Sequence, residues 1–121
     1  YIGQWKDGKI DGPGSLIYPN GDMYKGVWKN GKKHGIGVTF SKDGKKIEEG
    51  AYKDGKKEGL WIIFYENEQK QIELTYIEGK KEGFTTGWHD NGKMWYEGTY
   101  NGKILIFEKC WDEDGNTEEC D

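Results

Sequence analysis

The chain contains no arginine and only two cysteines, two histidines and two prolines among its 121 residues, so all 18 of its basic side chains are lysines. Arginine supplies the planar donor fork that pairs best with guanine edges and phosphates, so we expect no specific nucleic-acid recognition. Neither histidine lies beside a serine or cysteine in a recognisable nucleophile motif. We therefore expect no enzyme, no cofactor and no small-molecule substrate.

Long hydrophobic runs are also absent. The longest extend from Leu60 to Tyr65 and from Ile104 to Phe107, which is far short of the ~20 apolar residues that a membrane-spanning helix needs. We therefore expect a soluble chain. Its location stays open between the cytoplasm and export, because any leader would precede Tyr1.

The charge of the chain is unevenly distributed. Residues 1–47 carry nine lysines against four aspartates, a net charge of +5, whereas residues 48–121 carry nine lysines against eighteen acidic residues, a net charge of −9. An acidic surface attracts basic molecules over several ångströms. The second part of the chain therefore suits a basic partner.

A pair of turn signals repeats along the chain every 23 or 24 residues. The first signal ends in glycine at positions 8, 31, 55, 79 and 102, and the second is Asn20-Gly21, Asp43-Gly44, Asn67-Glu68, Asn91-Gly92 and Asp114-Gly115. Asp-Gly and Asn-Gly favour tight hairpin turns, because both central residues need positive φ. Two turns per period without helical periodicity predict an all-β fold: a single-layer, elongated antiparallel sheet of about five stacked β-hairpins. We interpret the chain as one domain with units of residues 1–23, 24–47, 48–71, 72–95 and 96–121.

The spelling of these units resembles a known repeat. The pattern Tyr-x-Gly-x-Trp-x-x-Gly-x-x-x-Gly-x-Gly spans residues 1–14 and recurs over residues 24–37. It is similar to the MORN repeat, and from Glu48 onward the pattern resembles a MORN variant of bacterial proteins, some of which neutralise toxins. The resemblance implies a single-layer sheet that binds proteins, associates with membranes or acts as a scaffold, with no catalytic residues. Leu74 and Glu68 stand where the pattern has glycine.

Strand alternation places many glycines on one face of the predicted sheet. With Asp7-Gly8 as the central turn residues, the expected pairs are Trp5 with Ile10, Gly3 with Gly12 and Tyr1 with Gly14. Paired glycines weaken a strand unless an aromatic ring lies across them. We therefore expect a column of rings over the glycines, formed by Trp5, Trp28, Tyr52 and Tyr76.

The opposite face is apolar as well, and a single layer of hairpins cannot cover both of its faces. The residues predicted there are Val27, Ile36, Val38, Phe40, Ala51, Leu60, Ile62, Phe64, Ile77, Phe84 and Trp88. We expect the middle units to contact a protein partner or a second copy of the chain. Since aromatic side chains are frequent interface anchors, the predicted partner-binding residues are Trp61, Phe64, Tyr65, Trp88 and Trp95.

Lysines follow the first-turn glycines in several units. Those considered for binding to anionic lipid are Lys32, Lys33, Lys56, Lys57, Lys80 and Lys81. The alternative is that these lysines provide solubility and protect the turns from edge pairing. We favour this alternative, because Glu58, Glu78 and Glu82 dilute the charge.

Two cysteines bracket the last predicted turn. A two-residue turn at Asp114-Gly115 places Cys110 opposite Glu119, whereas a three-residue turn with a bulge places it opposite Cys120. A disulfide, which would indicate an oxidising compartment, and two free thiols both stay open.

No metal site is expected. His34 and His89 fall in distant units, and the acidic stretch from Asp112 lacks the spacing of a calcium-binding EF-hand loop.

These observations support several functions. The first is a non-catalytic protein-binding module, and its most specific form is an antitoxin or immunity protein that neutralises a basic toxin, as the resemblance and the net charge of residues 48–121 suggest. The alternatives are a membrane-associated scaffold that binds anionic lipid through lysines, a homodimeric or filament-forming scaffold, and a substrate-recruiting part of a larger enzyme.

Overall fold

The repeated turns fold the chain into one sheet. A computed structural model describes residues 2–120, which contain strands and no helix. The strands are β1 (Ile2–Lys6), β2 (Lys9–Ile17), β3 (Met23–Lys29), β4 (Lys32–Phe40), β5 (Lys46–Lys53), β6 (Lys56–Phe64), β7 (Lys70–Ile77), β8 (Lys80–Trp88), β9 (Met94–Asn101), β10 (Ile104–Trp111) and β11 (Thr117–Glu118). They join in chain order into a single antiparallel sheet, which confirms the predicted fold. No helix in these residues could cross a membrane.

Tight turns close the first four hairpins. Their central residues, Asp7-Gly8, Asn30-Gly31, Asp54-Gly55 and Glu78-Gly79, all have positive φ between 50° and 84°. This is the conformation expected of a two-residue turn that matches the twist of its strands. In the fifth hairpin Asn101 pairs with Ile104, so Gly102 is the first residue of the loop rather than the second.

The turns between hairpins each contain one residue in the left-handed region. It is a glycine four times, at Gly21, Gly44, Gly92 and Gly115, and a glutamate once, at Glu68 with φ of 68°. A side chain in this region is strained. The backbone of the third connection, at Glu68, is therefore more strained than that of the other four.

A bulge in each of the first four hairpins shifts the strand register. In the second hairpin Trp28 pairs with Lys33, but Gly26 pairs with Gly37, so β4 contributes two more residues than β3 between these pairs. In the first hairpin Gly3 likewise pairs with Gly14, and the predicted pairing with Gly12 was wrong. The predicted partner of Gly14, Tyr1, lies outside the described residues. Because the insertion is even, the faces of both strands are preserved.

The bulge is built on glycine. Its left-handed residues are Gly12, Gly35, Gly59 and Gly83, with φ between 77° and 90°. Glycine adopts this conformation without a Cβ penalty. The glycine four residues after each of the first four first-turn glycines therefore serves the bulge rather than a ring.

The core lies on one face of the sheet. The buried side chains are Tyr24, Trp28, Trp61, Leu74, Tyr76, Thr85, Tyr96 and Cys110, and the strand pairing places all of them on that face, which we call the buried face. Leu74 pairs with Trp61 and packs in one cluster with it and Tyr76. A leucine at this glycine position of the repeat therefore fills the core.

Aromatic rings cover the extended glycines, but with different members from those predicted. A Cβ on Gly37 would overlap the ring of Tyr24, and a Cβ on Gly50 would overlap that of Trp61. The predicted column of Trp5, Trp28, Tyr52 and Tyr76 was wrong. The bulge separates Trp28 from the Gly26–Gly37 pair, whereas Tyr24 adjoins that pair on the regular side.

Successive hairpins are also tied together at their first turns. The residue three positions after a turn glycine accepts a hydrogen bond from the backbone N–H of the next turn. Asn30 N–H donates to Asp11 at 3.2 Å, Asp54 N–H to His34 Nδ1 at 3.3 Å and Glu78 N–H to Glu58 at 2.9 Å. This position therefore fixes each hairpin on its neighbour.

Candidate binding surfaces

The buried face carries a continuous series of aromatic rings. Tyr24 lies 5.1 Å from Trp28 and 5.8 Å from Tyr52, measured between ring centroids. Trp61 lies 4.9 Å from Tyr52 and 6.3 Å from Tyr76. All four contacts are edge-to-face, an arrangement that the ring quadrupole favours. These rings form the core of the sheet.

Lysines lie over these rings. Lys33 Nζ is 4.1 Å from the Tyr24 centroid and donates a hydrogen bond to Tyr18 Oη at 2.9 Å. Lys57 Nζ is 4.4 Å from the Trp61 ring. Such ammonium–ring contacts are favourable, and the aliphatic stems cover apolar surface. Lys33 and Lys57 were candidates for lipid binding, but the structure places them in the packing of the buried face.

The other candidate lysines divide in the same way. Lys81 lies 5.4 Å from the Tyr100 ring on the buried face. Lys32, Lys56 and Lys80 are exposed at the margin of the sheet. The six lysines predicted as one site therefore belong to two different environments.

The tyrosines of the buried face are poor acid–base groups. Burial, with a smaller effect of Tyr18, raises the pKa of Tyr24 to about 12. Burial is also the main reason that the pKa of Tyr52 and Tyr76 is raised. These phenols are therefore neutral near pH 7. Within residues 2–120, no group of three or more His, Cys, Asp or Glu side chains is placed to hold a metal ion.

The second face of the sheet carries a row of exposed apolar side chains. We call it the apolar ridge; its residues are Val27, Ile36, Leu60, Phe84 and Ile106. Ile36, Leu60 and Phe84 are 74%, 54% and 75% exposed, and each follows a bulge glycine, so they recur every 24 residues. The single sheet of residues 2–120 supplies no second layer over this face. Contiguous exposed apolar surface of this kind marks contact sites.

Acidic side chains line the ridge. The strand pairing places on this face Glu58, Glu82, Glu49, Glu73 and Glu97. Lys46 Nζ lies 3.2 Å from Glu49 and Lys70 Nζ lies 2.7 Å from Glu73, so two of the five carboxylates already have a lysine partner. Glu58, Glu82 and Glu97 form no salt bridge within the described residues. The same face also carries lysines near the first turns, among them Lys32, Lys56 and Lys80.

The residues predicted to bind a partner fall in several places. Trp61 is only 1% exposed, and its indole N–H donates to the Ala51 carbonyl at 3.0 Å. It therefore offers no surface to a partner, because the register turns it toward the core. Tyr65 Oη donates to the Trp88 carbonyl at 2.6 Å, which links two hairpins.

The remaining predicted anchors are more accessible. Phe64 and Trp88 are half-buried on the second face, where Lys46 and Lys70 lie 5.8 Å from their rings. Trp95 is exposed and contacts Tyr96. Strand alternation placed Phe64 and Trp88 on the second face, where the structure also has them, whereas Trp61 lies on the buried face. The signal for the ridge was the constant spacing of the residues after the bulge glycines.

A disulfide closes the C-terminal end of the sheet. Cys110 and Cys120 are bonded, with 5.5 Å between their Cα atoms. In the strand pairing Cys110 lies opposite Glu118, rather than opposite Glu119 or Cys120 as the two predicted turns would have it. The bond therefore connects β10 to the residues that follow the short strand β11.

Comparison with known proteins agrees with this architecture. The MORN repeat model matches residues 1–23, 24–46 and 49–60, and the model of the MORN repeat variant matches residues 57–78 and 81–105. Alsin from Rattus norvegicus and from Homo sapiens is 37% identical to this chain over 41 residues, which is 34% of the chain and 2% of Alsin. The chain thus spans a very small part of the curated relatives it matches. MORN repeats are in general non-catalytic modules for protein or membrane interaction, and this chain belongs to the MORN repeat family.

Proposed function

We propose that the chain is a protein-binding module and that the apolar ridge docks a basic, amphipathic helix of its partner. The observation that carries this proposal is the exposure of Ile36, Leu60 and Phe84 at equal intervals on a face without a second layer. Burying such side chains contributes roughly 1.5–3 kcal/mol each. A partner that covers all three therefore gains a substantial part of its binding free energy there.

The spacing of the ridge fits a helix. Its three central residues lie two strands apart, and neighbouring strands are ~4.8 Å apart, so successive anchors are separated by ~10 Å. Seven residues of an α-helix rise ~10.5 Å. A helix lying across the strands can therefore place an apolar side chain beside each of Ile36, Leu60 and Phe84. Amphipathic helices dock by their apolar faces in the same way on other hydrophobic surfaces.

The carboxylates beside the ridge favour basic residues on both sides of the helix's apolar stripe. Glu58 and Glu82 lie on one side of the ridge and Glu97 lies on the other. Lysine or arginine beside the apolar stripe of the partner would meet these carboxylates. Electrostatic complementarity of this kind raises the association rate and excludes acidic competitors. The net charge of −9 over residues 48–121 extends the same preference beyond the ridge.

A toxin neutralised by this chain is the most specific form of the proposal. A basic toxin would present the required helix, and its activity would be blocked while the helix is held on the ridge. The variant MORN pattern and the acidic second part of the chain support this form. It predicts that co-expression of the chain protects cells from a basic toxin encoded beside it.

A matched set of variants tests the proposal. Leu60→Ala with Phe84→Ala should weaken binding at least tenfold, whether the ligand is the product of an adjacent gene or a designed Leu/Lys helix with leucine every seven residues. Ile17→Ala is the control, because Ile17 is as exposed as Leu60, at 54%, but lies outside the ridge. Binding would be measured by fluorescence anisotropy, and circular dichroism would show that each variant is folded.

Three outcomes would contradict the proposal. The ridge variant binds as well as the unchanged chain, the Glu/Leu version of the designed helix binds as well as the Leu/Lys version, or neither the designed helix nor any adjacent gene product binds. Self-association that disappears in the ridge variant would assign the ridge to a second copy instead, and light scattering distinguishes this case.

Membrane association is a second candidate, favoured by the exposed margin. Lys32, Lys56 and Lys80 lie there at equivalent repeat positions, and Lys9 and Lys103 extend the series. Each lysine near an anionic surface contributes ~1 kcal/mol. Sedimentation with phosphatidylserine vesicles at low salt tests this function. Binding that is lost in Lys32→Gln with Lys56→Gln and Lys80→Gln supports it, and no binding excludes it.

A further inference from the structure

The C-terminal end of the buried face contains an aromatic pocket of about 400 Å³. Three of its walls are rings: the Trp95 and Tyr96 centroids are 5.2 Å apart, and those of Tyr96 and Phe107 are 5.4 Å apart. Both contacts are edge-to-face. Glu118 and Glu119 also line the pocket. Rings and acidic residues thus line the same space.

The pocket is open and its acidic side is held in place. Trp95 and Phe107 are 40% and 38% exposed, so a ligand can reach the ring faces from solvent. The disulfide between Cys110 and Cys120 forms part of the pocket lining. Because Cys120 directly follows the two glutamates, the bond holds these residues at the pocket.

The rest of the chain shows what such rings contact. On the buried face of the second, third and fourth hairpins, the residue opposite the last aromatic of the odd strand is a lysine: Lys33 opposite Trp28, Lys57 opposite Tyr52 and Lys81 opposite Tyr76. In the first hairpin the residue opposite Trp5 is Ile10. In the fifth hairpin the residue opposite Tyr100 is Leu105. The fifth hairpin, like the first, therefore supplies no lysine at this position, and the ammonium group over Tyr100 is that of Lys81 from the fourth hairpin.

The second face repeats the same arrangement. Lysine nitrogens lie 5.4–5.8 Å from the centroids of Phe40, Phe64, Trp88 and Trp111. Across the described part of the chain, no lysine nitrogen lies over Trp95, Tyr96 or Phe107. The pocket around this ring cluster is instead lined by Glu118 and Glu119, whose negative charge suits an external cation.

We propose that this pocket binds an alkylammonium group, and that its physiological ligand is a lysine side chain, unmodified or methylated, of the basic partner. Rings attract a cation through their negative faces, and the carboxylates add Coulomb attraction. The identity of the lysine donor rests on the proposed protein-binding function. The chemistry of the pocket does not, and a choline headgroup would satisfy the same groups.

Small cations test the pocket without any partner. The intact, oxidised chain would be titrated at low salt with N-acetyl-lysine methylamide, its trimethylated form and choline, and the Trp95 indole N–H signal would be followed by NMR. Binding in the millimolar range is expected for these isolated groups. N-acetyl-norleucine methylamide and 3,3-dimethylbutanol, which are neutral analogues of nearly the same shape, should produce no comparable shift.

Variants separate the contributions of rings and charge. Trp95→Leu should weaken ammonium binding about fivefold, and Glu118→Gln with Glu119→Gln should weaken it by a similar factor at low salt and by less at high salt. Tyr96 and Phe107 signals report binding to the first variant. Glu113→Gln and Phe84→Ala are controls that should bind as the unchanged chain does, because neither residue lines the pocket.

The outcomes distinguish this site from the ridge. Equal shifts with neutral and cationic probes, or binding that is unchanged in both pocket variants, would overturn the proposal. A preference for choline over both lysine derivatives would assign the pocket to a lipid headgroup and overturn the lysine assignment. If Phe84→Ala abolishes partner binding but leaves ammonium binding intact, both sites stand. If the designed helix fails to bind while the small cations bind, only the proposed docking surface fails.

Discussion

Replacing Gly50 with alanine tests whether the glycines in extended strands are required by the aromatic ring above them rather than by backbone conformation. Gly50 lies in strand β5 without a positive φ, but a Cβ there would overlap the ring of Trp61. Alanine in a strand is otherwise favoured over glycine by ~0.5–1 kcal/mol, because glycine loses more conformational freedom on folding. The substitution should therefore be destabilising only because of the ring.

The size of the effect follows from how firmly the ring is held. Trp61 has Tyr52 and Tyr76 on its two sides, at 4.9 and 6.3 Å, and its indole N–H is bonded to the Ala51 carbonyl. It cannot retreat without losing these contacts. Overpacking a site of this kind costs ~1–3 kcal/mol, so Gly50→Ala should lower the free energy of unfolding by about 1–2 kcal/mol after the strand preference is included.

A double-mutant cycle isolates the contact. In a Trp61→Leu background the space above Gly50 is vacant, and Gly50→Ala should now stabilise the chain by ~0.5–1 kcal/mol. The assay is urea denaturation followed by far-UV circular dichroism, which does not depend on the missing indole. Gly8→Ala is the control: φ is +78° with no neighbour within 4 Å, so its cost should be the same in both backgrounds. Equal costs of Gly50→Ala in both backgrounds would refute the reasoning.

Three further predictions concern single positions. Glu68→Gly should raise the free energy of unfolding by ~0.5–1 kcal/mol, because Glu68 has φ of 68°; Gly44→Ala, at the equivalent turn, should lower it when both are measured by urea denaturation. Burial raises the pKa of Tyr24 from 10.0 to about 12, so between these pH values the Tyr24 phenol ionises in the unfolded chain but not in the folded one. The free energy of unfolding should therefore be constant below pH 10 and fall as the pH rises toward 12, as a pH series of unfolding curves would show. Reduction of the bond between Cys110 and Cys120, which closes a separation of 10 residues, should destabilise the C-terminal hairpin by about 2–3 kcal/mol and accelerate amide exchange there but not in the first hairpin.

The residues at the turns allowed the hairpins to be predicted, but they did not predict the bulges that shift the strand register. Asp7-Gly8 and its equivalents determine where the chain reverses, because few residue pairs accept two positive φ values. The sequence could not distinguish a bulge glycine such as Gly12 from a glycine covered by a ring, because a bulge and a covering ring both require glycine. Only the three-dimensional register distinguishes Gly35, at φ of 83°, from Gly37, which lies under a ring.

The candidate surfaces could likewise be predicted only in part from the sequence. Alternation alone placed Leu60 and Phe84 on the second face, since the bulge inserts an even number of residues and leaves the faces unchanged. It could not show that Phe64 is partly covered by Lys46, because that contact depends on side-chain reach. Nor could it place Trp61 in the core, since a large ring has the same sequence signature whether it fills a core or an interface.

The position of the aromatic pocket follows from the short strand β11 beside the fifth hairpin. Inside the array each hairpin is covered by the next: Trp61 lies against Gly50 and is closed over by Leu74 from the following strand. Phe107 pairs with Gly98, although a Cβ on Gly98 would first meet Ile106 and Leu105 rather than the Phe107 ring. The strand that follows, β11, has only two residues and pairs only with Cys110 and Trp111. Phe107 is consequently exposed where Trp61 is buried. Within residues 2–120 the rings of the fifth hairpin adjoin a disulfide and two glutamates. A sixth hairpin of the same pattern placed after β10 should bury Phe107 and eliminate the proposed cation site.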